Sequence, residues 1–362
     1  MKIAIIGTRG IPNNYGGFEQ LAEYLSLGLK EKGHEVYVYS SDKHIYKEAT
    51  WKGINIIHQP DPEKKIGTVG QFIYDFSCIR DSRKRGFDVI LNLGYTSSSV
   101  WMWLFPKNAK VITNMDGLEW KRTKYSNNVQ RFLMYAEKLA VKRSNGLIAD
   151  SLAIQSYLHD KYQVASDFIA YGAELFDNPD ETFLSAFKVK PYGYNMLIAR
   201  MEPENNIETI LEGVHLSKQE MPFFVVGNTK NIFGTYLVDK YKNDLRIIFT
   251  GPIYDTKVIN NLRYYCHIYF HGHSVGGTNP SLLEAMGCSS LIVAHNNEFN
   301  KSVLGSDGFY FNDAGDISNF VERLDRKEVT SRNFVANNYN KIKTEYTWTK
   351  IVGQYEQVMT RK

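Results

Sequence analysis

Short apolar runs alternate with stretches at helical spacing through nearly all of this chain, and the alternation breaks off and restarts once. Residues 2–6 read as a continuous core strand. After a long loop, residues 18–32 place Phe18, Leu21, Ala22, Leu25 and Leu29 on one helical face, and Gly33 stops the helix. Residues 35–40 are the next strand. This opening commits the chain to a parallel sheet with helices on its faces. Residues 87–93, 109–113, 146–149 and 167–170 continue the strands, with helices over 100–105, 127–143 and 151–162. A linker containing Pro and Asp then runs from Tyr171 to about Pro191. The grammar resumes with strands at 194–199, 222–226, 246–250, 267–270, 290–294 and 308–311 and a helix over 207–216. At 362 residues the chain exceeds one ordinary core, so two α/β domains of similar size are expected, with ligands at the carboxyl ends of the strands.

The stretch from His271 to Gly287 is the most informative of these strand-to-helix passages. It runs from a strand through Gly276-Gly277-Thr278 into a helix with Asn279 as an N-cap and Pro280 at the first helical position. Free amide N–H groups backed by a helix dipole suit a phosphate. Glu284, one turn further in, could accept hydrogen bonds from sugar hydroxyls. Taken alone, the same letters also describe a tight turn and a solvated glutamate. At the end of the 109–113 strand, Asp116 and Glu119 occupy a ligand-binding position, although a turn Asp before Gly117 and a surface Glu give the same pattern.

Composition narrows the classes. Hydrophobic residues make up 43% and charged residues 23%, as in a globular protein. Cys78, Cys266 and Cys288 are far apart, which argues against a disulfide framework or metal cluster and fits a reducing cytoplasm. The first residues form a core strand and not a signal peptide, and no run is long enough to span a membrane. Net charge is +4, but Arg80, Arg83, Lys84 and Arg85, and then Lys121, Arg122, Lys124, Arg131, Lys138, Lys142 and Arg143, concentrate positive charge in the first half. Such clusters are solvated helix faces or a surface for anionic lipid. The loop at 7–17 lacks the G-x-G-x-x-G spacing of a dinucleotide enzyme.

Several stretches, in order, resemble the retaining GT-B glycosyltransferases of family 4. They are Gly16-Gly17 before a helix, Arg200 with Pro203-Glu204-Asn205, the Gly276-Gly277 loop with Leu283-Glu284-Ala285-Met286, and the terminal segment from Trp348. Thr8-Arg9-Gly10-Ile11-Pro12, Tyr15-Gly16-Gly17-Phe18-Glu19, the run from Asp116 to Arg122 and the run from His273 to Pro280 are similar to bacterial rhamnosyltransferases of capsular and other surface polysaccharides. The resemblance implies two Rossmann-like domains facing a cleft. Residues 1–172 form the acceptor side, joined by a C-terminal helix at 347–362 that crosses back, and residues 173–346 bind the nucleotide sugar.

The reaction implied is retaining transfer of L-rhamnose from dTDP-rhamnose to a lipid-linked oligosaccharide, through an oxocarbenium-like transition state with charge growing on the departing diphosphate. Arg200, Arg9 and Asp116 are the implied catalytic residues. Gly16, Gly17, Gly276, Gly277, Thr278, Asn279, Asn205 and Glu284 are on the donor, with Glu284 on its ribose. Tyr15 and Glu119 are on the acceptor side. No cofactor, metal or nucleic acid is implied; the expected location is the cytoplasm, peripheral on the inner face of the membrane. Two positions depart from the family pattern: Gly276 stands where a glutamate is usual, and Asn205 where a lysine is usual. Arg9 is the expected replacement for the missing cation. A nucleotide-sugar 2-epimerase and a non-catalytic donor-binding relative are the competing readings.

Overall fold

The computed structural model describes every residue except Tyr15, Thr123, Lys124 and Lys362. The chain divides into two compact units, Met1–Tyr171 with Trp348–Lys362, and Gly172–Thr347.

The first unit is built on β1 (Lys2–Ile6), β2 (Glu35–Ser41), β3 (Thr50–Trp51), β4 (Ile54–Gln59), β5 (Val89–Leu93), β6 (Lys110–Asn114), β7 (Gly146–Ala149) and β8 (Asp167–Phe168). Their order is β3-β4-β2-β1-β5-β6-β7-β8, parallel throughout except for the short β3–β4 pair. The central strands are apolar on both faces, with Ile3, Ile5, Val38, Ile90 and Ile112 all fully buried, because helices cover each side. The helix Gly17–Glu31 buries Leu21, Leu25 and Leu29 against the sheet.

The last helix, Trp348–Thr360, belongs to this first unit. Trp348 stacks on Tyr24 with ring centroids 4.4 Å apart. Val352 packs so closely on Gly28 that a Cβ there would lie 2.6 Å from a Val352 methyl. The Lys110 ammonium donates to the carbonyl of Val358 at 2.8 Å.

The second unit carries β9 (Asn195–Ile198), β10 (Phe223–Val226), β11 (Ile247–Gly251), β12 (Tyr269–His271), β13 (Ile292–His295) and β14 (Phe309–Phe311). All are parallel, in the order β11-β10-β9-β12-β13-β14. Its core gathers Leu197, Phe223, Val225, Phe270, Val293 and Ile317. The expected helix at 100–105 is a 3-10 segment, Ser98–Leu104. Pro106 cannot extend a helix, and the Trp101 indole is occupied by a hydrogen bond to the Phe72 carbonyl. Between β10 and β11 lies a helix, Ile232–Tyr241, outside the sequence reading.

Candidate active site

In the second unit β9 and β12 are neighbours, paired through Met196 with Tyr269 and Leu197 with Phe270. The segments leaving their carboxyl ends are knitted together. The Ser274 hydroxyl and amide donate to the Glu204 carbonyl at 2.7 and 3.1 Å, and the Asn206 side chain donates to the Gly272 carbonyl at 2.8 Å. Gly272 is required by closeness: a Cβ there would meet the Asn205 carbonyl oxygen at 2.1 Å.

Arg200 sits on this platform. Its backbone carbonyl accepts from the Asn205 amide at 2.7 Å, while its side chain is exposed. Among the described residues the Arg200 guanidinium makes no hydrogen bond or ion pair. Asn205 is buried, and its amide closes the turn inward on Arg200. Its observed role is therefore to shape that turn.

The facing loop has the geometry of an anion cradle. The amides of Gly276 and Gly277 have no hydrogen-bond partner among the described residues. Thr278 is buried. Asn279 caps the helix Pro280–Gly287 by accepting from the Ser281 amide at 2.9 Å, with Pro280 at the first position. Gly276 has φ +131, a backbone conformation L side chains rarely adopt, although nothing lies within 4 Å of where its Cβ would be. The departure from glutamate at this position is thus favoured by the backbone: space is available, but a side chain would be strained in this conformation.

Glu284 is held by Arg263, a buried arginine from the helix Thr256–Tyr265 whose guanidinium donates to the Glu284 carboxylate. This fixes where the carboxylate points. Beneath the loop, the fully buried His271 stacks on His273, with ring centroids 4.4 Å apart. Burial, reinforced by His273, pushes the His271 imidazole well below the usual histidine range, so it is a neutral ring.

In the first unit the glycine loop after β1 is differently equipped. Glu19, buried in the first turn of the helix Gly17–Glu31, accepts from the Thr8 hydroxyl at 3.1 Å and the Arg9 amide at 2.7 Å. Gly16 is the extended N-cap residue before Gly17. Arg9 is the expected replacement for the missing cation. Its guanidinium pairs with Asp61 at 3.1 Å and Glu63 at 2.5 Å, so two carboxylates already compensate its charge. Tyr15 lies outside the described residues.

Asp116 follows β6 in the left-handed region, at φ +49. Its amide donates to the Asn114 side chain at 2.9 Å, and Asn114 in turn donates to the Tyr355 hydroxyl at 2.8 Å. The C-terminal helix therefore sets the Asp116 turn. Glu119 is engaged by Arg122, at 2.8 Å from Nε and 2.6 Å from Nη2. Trp120 donates to the buried Glu137 at 3.2 Å, and the same carboxylate accepts from Tyr157, Tyr162 and Lys161 at 2.7, 2.6 and 2.9 Å.

The supporting residues Glu137 and Arg263 are absent from the sequence reading, and Glu19 enters it only as part of a motif, without a role. Each is a charged residue inside an amphipathic helix. Only Glu19 had a local signal, its place in the first helical turn after the glycines.

Comparison with known proteins supports a glycosyltransferase. Residues 186–341 match the family described as "Glycosyl transferases group 1", and residues 1–174 match a "Domain of unknown function (DUF1972)". The group 1 match lies within the second unit and supports a glycosyltransferase assignment.

An uncharacterized glycosyltransferase of Methanocaldococcus jannaschii is 25% identical over 394 aligned positions, covering all of this chain and 98% of that protein. The fold is the GT-B fold, with two parallel-sheet domains. Sucrose-phosphate synthase of Thermosynechococcus elongatus superposes with a TM-score of 0.78 at 16% identity, covering 99% of this chain and 98% of that one. The Anabaena protein HepE, solved with UDP, gives 0.75 at 14% identity over 99% and 100%. Among the described residues no group of three or more His, Cys, Asp or Glu is arranged to hold a metal ion. No helix among them is long and apolar enough to cross a membrane.

Proposed function

We propose that this glycosyltransferase moves L-rhamnose from dTDP-rhamnose to a lipid-linked oligosaccharide, with retained configuration, in the assembly of a surface polysaccharide. The observation that carries the reading is the uncompensated Arg200 on a turn hydrogen-bonded to the loop that bears the unpartnered amides of Gly276 and Gly277. Charge builds on a departing diphosphate in such a reaction, and fixed donors aimed at it lower the barrier. In this reading Arg200 and the two glycine amides take the diphosphate, and Asn279 holds the helix end that presents them. Glu284, oriented by Arg263, takes the ribose hydroxyls. Asp116 touches the transferred sugar or the acceptor hydroxyl, and Gly16 and Gly17 leave room for the donor. The choice of rhamnose rests on the motif resemblance, and a 6-deoxy sugar suits a loop whose glutamate has become Gly276. HepE was solved with UDP and with UDP-glucose, so uridine donors belong in the same test.

The test is a panel of dTDP-, UDP- and GDP-sugars screened for thermal stabilisation, followed by transfer to a lipid-linked acceptor. A bound donor stabilises by about 2.7 kcal/mol at a hundredfold excess over its Kd. The expected result is stabilisation by dTDP-rhamnose with acceptor-dependent release of dTDP. Preference for a UDP-sugar would replace the donor assignment, conversion of donor without acceptor would make the protein an epimerase, and binding without any transfer would remove the catalytic reading.

A further inference from the structure

Three segments of the first unit carry a surface on which exposed charge has only one sign. The helix Val69–Ser82, with the short helix Glu63–Ile66 before it, and the helix Asn127–Arg143 both pack on the 3-10 segment Ser98–Leu104. Phe72 and Phe132 meet at 5.7 Å between the two long helices. Among the described residues of 64–84, 98–107 and 127–143, every exposed charged side chain is Lys or Arg. The acids here are buried or paired. Asp75 and Glu137 are buried, Asp81 is paired with Arg85, and Glu63, at the start of the short helix, is paired with Arg9.

The same segments expose apolar side chains that a solvated face does not need. Ile66 is 49% exposed, Val69 61%, Ile73 42%, Trp103 65% and Tyr135 57%. Val69 and Ile73 are one helical turn apart and so share an edge of their helix. Tyr135 lies within a stripe with Arg131, Lys138 and Lys142 on the exposed face of Asn127–Arg143.

We propose that this face docks on an anionic lipid bilayer, with Ile66, Val69, Ile73 and Trp103 entering the headgroup boundary and the flanking Lys and Arg side chains engaging acidic headgroups. The charge argues for a polyanionic partner, since basic side chains near such a membrane each add attraction and no exposed acid opposes them. The apolar edge selects a bilayer over a nucleic acid, because aliphatic side chains gain from an acyl boundary and have no base to read there. Trp and Tyr are the side chains favoured at the membrane–water interface. The purpose of docking rests on the proposed lipid-linked acceptor, but the docking itself is measured without any sugar donor.

The experiment is co-sedimentation of the full chain with phosphatidylcholine vesicles lacking or containing phosphatidylglycerol, beside an RNA-binding control. Binding is expected only with phosphatidylglycerol and should weaken as salt is raised. Arg131→Gln with Lys138→Gln should reduce it about thirtyfold, at roughly fivefold per charge. Ile66→Ser with Val69→Ser should also weaken it, and vesicles should shift tryptophan emission to the blue in a way that Trp103→Phe abolishes. Equal binding to neutral vesicles, no binding, or RNA binding as tight as vesicle binding and indifferent to Ile66→Ser with Val69→Ser would each overturn the proposal. Nucleotide-induced thermal stabilisation, read on the same variants, separates this outcome from failure of the donor reading: it should be unchanged in all of them.

Discussion

Each unit carries a strand, a glycine loop and a helix start, and an arginine close to that loop, but the two arginines are in opposite states. Arg9 is half-buried among acids, paired with Asp61 and Glu63 and partly opposing the rise that burial imposes on the Asp75 carboxyl. Arg200 is exposed and uncompensated, on a turn fastened to a loop with unpartnered amides. A guanidinium already between two carboxylates has little attraction left for a diphosphate, whereas a bare one keeps all of it. The same residue type beside the same kind of loop therefore builds structure in one unit and leaves binding capacity in the other.

The comparison breaks most visibly on paired substitutions. Arg200→Ala should lower kcat/KM by about a hundred- to a thousandfold, the typical loss for one preorganised donor to a growing negative charge. Arg9→Ala should cost less than about tenfold, or about 1.4 kcal/mol. Its effect should be mainly on stability, because Asp61 and Glu63 lose their partner. Equal losses of turnover would place Arg9 back on the diphosphate and end the distinction.

A second expectation concerns the acids around Arg9. Burial raises the Asp75 carboxyl to about 6, against the opposing pull of the Ser97 hydroxyl and Arg9. The folded chain therefore holds this proton to higher pH than the unfolded chain does. The Asp75 contribution to stability falls as pH rises from about 4 to about 6 and then levels, by roughly 3 kcal/mol. Asp75→Asn should remove that fall, so denaturation midpoints of variant and parent should agree near pH 4 and diverge by pH 7. In Arg9→Ala the divergence should extend to higher pH. Midpoints of variant and parent that stay equally far apart from pH 4 to pH 7 would contradict the assignment.

The smallest expected effect tests the loop of the second unit. Gly276→Ala and Gly276→Glu should each destabilise by roughly 1–2 kcal/mol, because the strain lies in the backbone and not in the side chain. Similar losses in thermal midpoint support that view. A Gly276→Glu protein that is undiminished in stability and faster in turnover would show that the loop can accept the glutamate after all.

Much of this arrangement is legible in the sequence. The helices Asn127–Arg143 and Ile207–Leu216 and the strand Gly146–Ala149 have clean periodicity and were delimited to the residue. The Asn279 cap and the Pro280 start follow from local chemistry alone, and the structure has both. The helix Ile232–Tyr241 escaped because Ile232, Tyr236 and Val238 are exposed, which blurs the apolar stripe. The β3–β4 hairpin turns on Lys52-Gly53, both at positive φ, a pair that gives a weaker turn signal than Asn-Gly. The pairing of Arg9 was hidden for another reason: Asp61 and Glu63 are over fifty positions away, and only the fold brings them to it.

The return of the helix Trp348–Thr360 to the first sheet sets an order of events during synthesis. The ribosome delivers residues 1–171 first, yet Tyr24, Gly28 and Asn114 wait for Trp348, Val352 and Tyr355. The second unit is continuous in sequence and can close its core before the first is complete. At about 5–20 residues per second, the earlier half stands with one helix face uncovered for roughly ten to thirty-five seconds. The half made first is thus the half finished last, and the nascent chain must keep that face from other partners until its own final helix arrives.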